Sequence, residues 1–173
     1  KIFMRLFLGW FYPELMSTYG DRGNIIALSY WAKILGIDLV VSPISLTDPQ
    51  EKILKMDILF MGGAQDKQQE IVSKDLKNGK SDALKKSIEG GVPGLFVCGA
   101  YQFLGRYYKT ADGTKITGLS IFDLYTENPG DGFPRLIGDI GIKTKITDKE
   151  IVVGFENHGG RTYLSDKSLA FGE

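Results

Sequence analysis

Three short stretches of this chain hold residue types that can do covalent chemistry. The segment Leu95-Phe96-Val97-Cys98-Gly99-Ala100-Tyr101-Gln102-Phe103-Leu104-Gly105 carries the single cysteine, where an apolar run meets a glycine and a helical pattern begins. A cysteine at such a strand-to-helix turn is suited to act as a nucleophile. The tight turn exposes the thiol, and the helix N-terminus behind it favours the thiolate. Gly62-Gly63-Ala64 closes an earlier apolar run. A glycine loop there can aim a backbone N–H of Gly63, together with that of Gly99, at a developing oxyanion. The third stretch, Gly154-Phe155-Glu156-Asn157-His158-Gly159-Gly160-Arg161-Thr162, holds the single histidine. Each has a plainer reading. A lone cysteine after an apolar strand is more often a buried small hydrophobe, and a glycine pair is more often a tight turn. A histidine among glycines is more often a hydrogen-bonded structural residue.

The elements that must position these residues can be read from periodicity. A first strand is expected over Ile2 to Phe11, followed by the loop Tyr19-Gly20-Asp21-Arg22-Gly23. Asn24 is the expected cap of a helix in which Ile25, Leu28, Trp31 and Leu35 recur at helical spacing, with Gly36 as its stop. A second strand, Ile37 to Val41, precedes a helical patch over Gln50 to Lys55 and a third strand, Ile58 to Met61, that runs into Gly62. A polar helix over Gln65 to Lys77 follows, then one capped by Ser81 and ending at Gly90-Gly91. The apolar run Gly94 to Val97 predicts a buried parallel strand. Beyond Gly105 the texture changes: short β-prone runs (Leu119 to Thr126, Leu136 to Ile146, Ile151 to Phe155) sit between glycines and polar residues, which favours antiparallel hairpins. The expectation is one α/β domain over 1–173, with a parallel sheet first and antiparallel strands appended. In such open sheets ligands bind beyond the carboxyl ends of the strands, which places Gly62-Gly63 and Cys98-Gly99 on one crevice.

Composition narrows the field. With 173 residues, 43% of them hydrophobic, the chain can build a sizeable core. Its 21 basic residues balance 21 acidic ones and form no basic stripe, which argues against nucleic acid as a partner. One cysteine permits no internal disulfide and fits a reducing, cytoplasmic setting. No run approaches the roughly 20 apolar residues of a membrane helix. The opening apolar run to Pro13 is interrupted by Arg5 and lacks a cleavage pattern, so it reads as a strand rather than a leader. No metal-ligand cluster is evident, and no metal is expected.

Taken in order, Gly62-Gly63-Ala64-Gln65-Asp66, Val97-Cys98-Gly99-Ala100-Tyr101-Gln102 and Gly154 to Thr162 resemble the cobyric-acid-synthase-like branch of the class I glutamine amidotransferases. Within that branch they are most similar to the glutaminase subunits of lipid II isoglutaminyl synthases. The loop Tyr19 to Asn24 and Pro134-Arg135-Leu136-Ile137-Gly138-Asp139 fit the same group. The resemblance implies a flavodoxin-like parallel sheet flanked by helices, and a thiolate at Cys98 that attacks the side-chain amide of glutamine. Gly63 and Gly99 would supply the oxyanion amides, Arg135 and Gln102 would handle the glutamine, and Asp21 and His158 would be structural or site-adjacent. The implied partner is an ATP- and Mg-using, Mur-ligase-like subunit that amidates the stem-peptide glutamate of lipid II at the cytoplasmic membrane face. No cofactor is implied for the chain itself.

Two departures shape further expectations. In this branch the catalytic histidine lies in a later Thr-Tyr-Leu-His-Gly-type segment, so the general base is expected beyond residue 173 and the domain is expected to lack its C-terminal part. Ala64 stands where relatives usually have a third glycine. Two alternatives stay open: an amidotransferase for another acceptor, such as a corrinoid, and a catalytically dead domain that scaffolds a partner.

Overall fold

Strand β1 (Arg5–Phe11) holds an inner place in a parallel sheet, because both of its edges find partners. The computed structural model describes residues 4–18, 20–144, 148, 150–166 and 170–172. They fall into two compact units, Lys1–Phe103 and Leu104–Glu173.

In the first unit β1 leads to helix α1 (Arg22–Ile34) and strand β2 (Asp38–Ile44). A 3-10 turn over Gln50–Lys55 precedes β3 (Ile58–Met61). Helices α2 (Asp66–Asp75) and α3 (Ser81–Glu89) then lead to β4 (Gly94–Phe96), and α4 (Gly99–Leu104) closes the run. The sheet order is β2-β1-β3-β4, all parallel. Leu8, Ile25 and Phe60 form a core cluster against which Trp10, Leu28, Leu39, Val41, Ile58 and Val97 pack.

Several local expectations shift. Helix α1 starts at Arg22 rather than after Asn24, since turn bonds from Gly23 N–H to Gly20 O (2.8 Å) and from Asn24 N–H to Asp21 O (3.0 Å) begin the coil earlier. Its inward stripe is Ile25, Leu28 and Ala32, while Trp31 and Leu35 are exposed. Gly36, at φ +72°, supplies the left-handed exit that a helix end favours. Strand β4 is one of the two outer strands of this sheet, and Leu95 is exposed despite the apolar run.

Ser81 opens α3 without capping it, because the chain arrives at Lys80 already in helical conformation. The break between α2 and α3 falls at Asn78 and Gly79, the latter at φ +111°. A buried polar cluster holds it. Lys80 Nζ donates to the carbonyls of Ser45 (2.7 Å) and Leu46 (3.0 Å) and to Asp75 Oδ2 (2.6 Å). Tyr12 donates its hydroxyl to the same carboxylate oxygen at 2.7 Å. Three donors on three acceptors is how a buried ammonium becomes tolerable.

The second unit is built from strands β5 (Tyr107–Lys109), β6 (Lys115–Thr117), β7 (Leu124–Glu127), β8 (Leu136–Lys143), β9 (Ile151–His158) and β10 (Arg161–Leu164). β8 and β9 form the expected antiparallel hairpin, with Leu136 opposite His158. The expected run Leu136 to Ile146 ends outside the described residues. The other sheet, β10-β7-β5-β6, is mixed rather than wholly antiparallel: β5 and β7 run parallel. Between them the chain makes a full excursion through β6 before returning, so β7 enters in the direction of β5. Tyr107, Tyr125 and Tyr163 stack across three neighbouring strands, with centroid spacings of 5.1 and 5.0 Å.

Candidate active site

The sheet order places the strand reversal at β1 and β3, whose following segments leave toward opposite sides and open a crevice at their carboxyl ends. The loops that rim it are tied together by backbone bonds. Thr18 N–H, after β1, reaches the carbonyl of Gly63 at 3.3 Å, and Val97 N–H extends the β3–β4 ladder to Met61 O at 3.0 Å. Gly62 and Cys98 therefore leave neighbouring strands side by side.

Cys98 is exposed and adopts φ +54°. That conformation costs a residue with a side chain about 1–2 kcal/mol, and such residues persist where the surroundings over-determine them, often at functional turns. A bond from Ala100 N–H to Val97 O (3.0 Å) closes the turn, and α4 begins at Gly99. Gly99 is buried, and a Cβ added to it would lie 2.5 Å from Gln69 Nε2. Gln102, in α4, is 8% exposed, and its Oε1 has no hydrogen-bond partner among the described residues.

The glycine loop is just as crowded. A Cβ at Gly62 would collide with the Met16 carbonyl oxygen and lie 2.6 Å from the carboxyl carbon of Asp21, which is itself 3% exposed. Asp21 thus packs against the backbone of the loop that precedes α2. Gln69, one turn into that helix, donates from Nε2 to Ala64 O at 2.8 Å. Nothing in the sequence singles Gln69 out, for it sits in the polar run Asp66-Lys67-Gln68-Gln69-Glu70 that reads as a solvated helix face. Its burial, at 3% exposed, separates it from Lys67, Gln68 and Glu70.

Cys98, Gly99, Gly63, Asp21 and Gln102 all lie in the first unit; Arg135 and His158 lie in the second. There they share one end of the β8–β9 hairpin. Arg135 donates from Nη2 to the side-chain oxygen (3.0 Å) and backbone carbonyl (3.1 Å) of Asn157. His158 Nδ1 lies 2.7 Å from Gly160 O, a carbonyl that can only accept, so Nδ1 is the donor in that contact. Its Nε2 faces Glu156 Oε2 at 3.0 Å. Both ring nitrogens are engaged locally, as in a structural histidine. Arg161 braces the same corner through Gly159 O (2.9 Å) and Pro134 O (2.9 Å).

A doubly wound sheet with a left-handed cysteine turn beside a glycine loop is the arrangement of a thiol-dependent amidotransferase domain. The chain belongs to the CobB/CobQ-like glutamine amidotransferase domain family, whose model matches residues 8–173. It is similar to the lipid II isoglutaminyl synthase (glutamine-hydrolyzing) subunit GatD of Staphylococcus aureus (strain N315), 45% identical over 153 residues, covering 88% of this chain and 60% of that protein. The subunit of the same name from Streptococcus pneumoniae (strain ATCC BAA-255 / R6) is 42% identical over 162 residues, covering 94% of this chain and again 60% of the relative. The chain thus spans 60% of the length of each of these relatives. A solved glutamine amidotransferase structure aligns with a TM-score of 0.53 at 16% identity, covering 87% of this chain and 70% of that one, which shows a shared fold.

Proposed function

We propose that this chain is the glutamine-hydrolysing part of an enzyme that amidates lipid II. One observation carries the reading: an exposed cysteine at φ +54° stands on the turn next to the Gly62-Gly63-Ala64 loop. The names of the two bacterial relatives support the acceptor.

In this reading the thiolate of Cys98 attacks the side-chain amide carbon of glutamine. The C–S bond forms, the carbonyl π electrons move to oxygen, and the oxyanion accepts hydrogen bonds from the backbone N–H groups of Gly63 and Gly99. Collapse expels the nitrogen, which takes up a proton and leaves as ammonia. Water then attacks the thioester, releasing glutamate and restoring the thiol. His158 is not assigned as the general base, since both of its ring nitrogens are engaged by Gly160 and Glu156. Arg135 pairs its planar guanidinium with the substrate carboxylate, a match that an ammonium would not reproduce. Gln102 helps to seat the glutamine, its buried Oε1 being an acceptor that a ligand donor can satisfy. Asp21 backs the glycine loop.

The ammonia passes to a Mur-ligase-like partner that uses ATP and Mg and amidates the stem-peptide glutamate of lipid II. Thioester chemistry needs no cofactor from this chain, because the amide carbonyl is already electrophilic. Among the described residues no helix is long and apolar enough to cross a membrane. The complex works at the cytoplasmic membrane face, where the lipid-linked acceptor and ATP meet.

The test uses the full-length protein assembled with its partner. Cys98→Ala should abolish glutamine hydrolysis while leaving the circular dichroism spectrum unchanged, and ammonia supplied directly should restore amidation of lipid II. Glutamine hydrolysis retained in Cys98→Ala would overturn the mechanism. Amidation of a corrinoid instead of lipid II would overturn the acceptor.

A further inference from the structure

Gln69 touches both turns that carry the proposed oxyanion amides. Its Nε2 donates to the carbonyl of Ala64 at 2.8 Å, at the end of the glycine loop. The same amide lies under Gly99, where an added Cβ would stand 2.5 Å from Nε2 and 2.7 Å from Cδ. The Ala64 carbonyl can only accept, so the orientation of the amide is settled: nitrogen toward the loop, Oε1 away from it. Oε1 is buried with no hydrogen-bond partner among the described residues. An unpaired amide oxygen of this kind costs about 1–3 kcal/mol, which an apolar side chain of the same shape would not incur. Space filling alone therefore does not account for a glutamine here. On the other side of the loop, Thr18 N–H holds the carbonyl of Gly63 at 3.3 Å. With the carbonyls of Gly63 and Ala64 both tied, the two peptide planes that follow the Gly63 N–H are held, which limits how far the Gly62–Gly63 plane before them can turn.

We infer that Gln69 is a positioning residue for the oxyanion hole: it fixes the Gly62-Gly63-Ala64 loop against the Cys98-Gly99 turn, so that two backbone N–H groups are set before the substrate carbonyl arrives. The inference rests on the glutaminase reading above. It assigns the residue no contact with glutamine.

The test compares reactions that do and do not build an oxyanion, in the full-length protein with its partner. A chloroketone analogue of glutamine alkylates Cys98 through a tetrahedral adduct whose oxygen occupies the hole. Iodoacetamide alkylates the same thiolate by displacing iodide at a saturated carbon, with no oxyanion. Gln69→Met should lower kcat for glutamine hydrolysis at least about tenfold, approaching the loss seen when an oxyanion donor is removed, with KM little changed. Chloroketone inactivation should slow in parallel while the iodoacetamide rate holds. Gln69→Glu is a second probe. Its protonated carboxyl can donate to Ala64 O and its carboxylate cannot, so its kcat relative to wild type should recover as the pH falls. Unchanged kcat in Gln69→Met, an equal loss in both alkylation rates, or no recovery of Gln69→Glu at low pH would overturn the positioning role. Wild-type complex that neither hydrolyses glutamine nor reacts with the chloroketone would sink the glutaminase reading itself.

Discussion

The side-chain amide of Gln69 lies beneath the backbone of Gly99, so closely that a methyl group at Gly99 would come within 2.5 Å of Nε2. Each residue limits the other. The helix that follows the glycine loop can hold a glutamine at this point only because the turn after Cys98 has no side chain there. The glutamine in turn holds the Ala64 carbonyl at 2.8 Å.

Gly99→Ala should therefore push Gln69 off the loop and disturb both turns at once. The expected outcome is a loss of roughly 100-fold in glutamine turnover, of the size that a small misplacement of reacting groups produces. Overpacking should lower stability by about 1–3 kcal/mol. Steady-state kinetics and urea unfolding measure the two effects, and a fully active Gly99→Ala protein would contradict the arrangement.

A second expectation concerns the buried cluster just past the carboxyl ends of β1 and β2. Lys80 and Asp75 have side chains 5% and 17% exposed and meet at 2.6 Å. Lys80→Met leaves the Asp75 carboxylate with Tyr12 and strips the bonds from two backbone carbonyls, Ser45 and Leu46. Breaking such a pair on one side costs about 3–5 kcal/mol, whereas replacing both charges by apolar groups is often close to neutral. Lys80→Met should thus be much less stable in urea than the double variant Asp75→Leu/Lys80→Met. Equal stabilities would show that the pair is not what holds the break between α2 and α3.

Tyr12 predicts an alkaline limit. Burial, reinforced by its hydrogen bond to the Asp75 carboxylate, raises its pKa well above the ordinary 10.0. A group whose folded value is raised contributes stability that is whole below the unfolded value and lost as pH climbs above it, here from 10.0 upward. The unfolded tyrosine ionises in that range while the buried one cannot, a slope of up to about 1.4 kcal/mol per pH unit for this one group. Tyr12→Phe should show a shallower decline above pH 10.0, read from urea midpoints on either side of it. Parallel declines in the two proteins would sink the assignment.

Much of the fold was legible from residue pattern. The strand Ile58 to Met61, the 3-10 turn at Gln50 to Lys55, the stop at Gly36 and the exit at Gly90-Gly91 stand where periodicity and turn chemistry place them. Burial was less so. Apolar Trp31 and Leu35 share helical spacing with Ile25 yet face outward, and the apolar run Gly94 to Val97 includes an edge strand with Leu95 exposed. Hydrophobicity states what a residue prefers, and whether a neighbour covers it is decided by the order of strands. The parallel pairing of β5 with β7 escaped for the same reason, since local pattern does not encode which strand a segment returns to.

For the candidate site, the sequence by itself determined the residue types and their order along the chain: a cysteine between an apolar run and a helix start, a glycine pair one strand earlier, an arginine and a histidine in the later β-prone part. Those are chemical identities, and a thiol or a guanidinium is as legible in one dimension as in three. The tertiary structure decided the rest. It set Cys98 at φ +54° on an exposed turn, pressed Asp21 against Gly62, engaged both nitrogens of His158, and buried Gln69 between two loops. Reach and burial arise only when distant segments are brought together, and Gln69 lies 30 positions before Gly99 in the sequence.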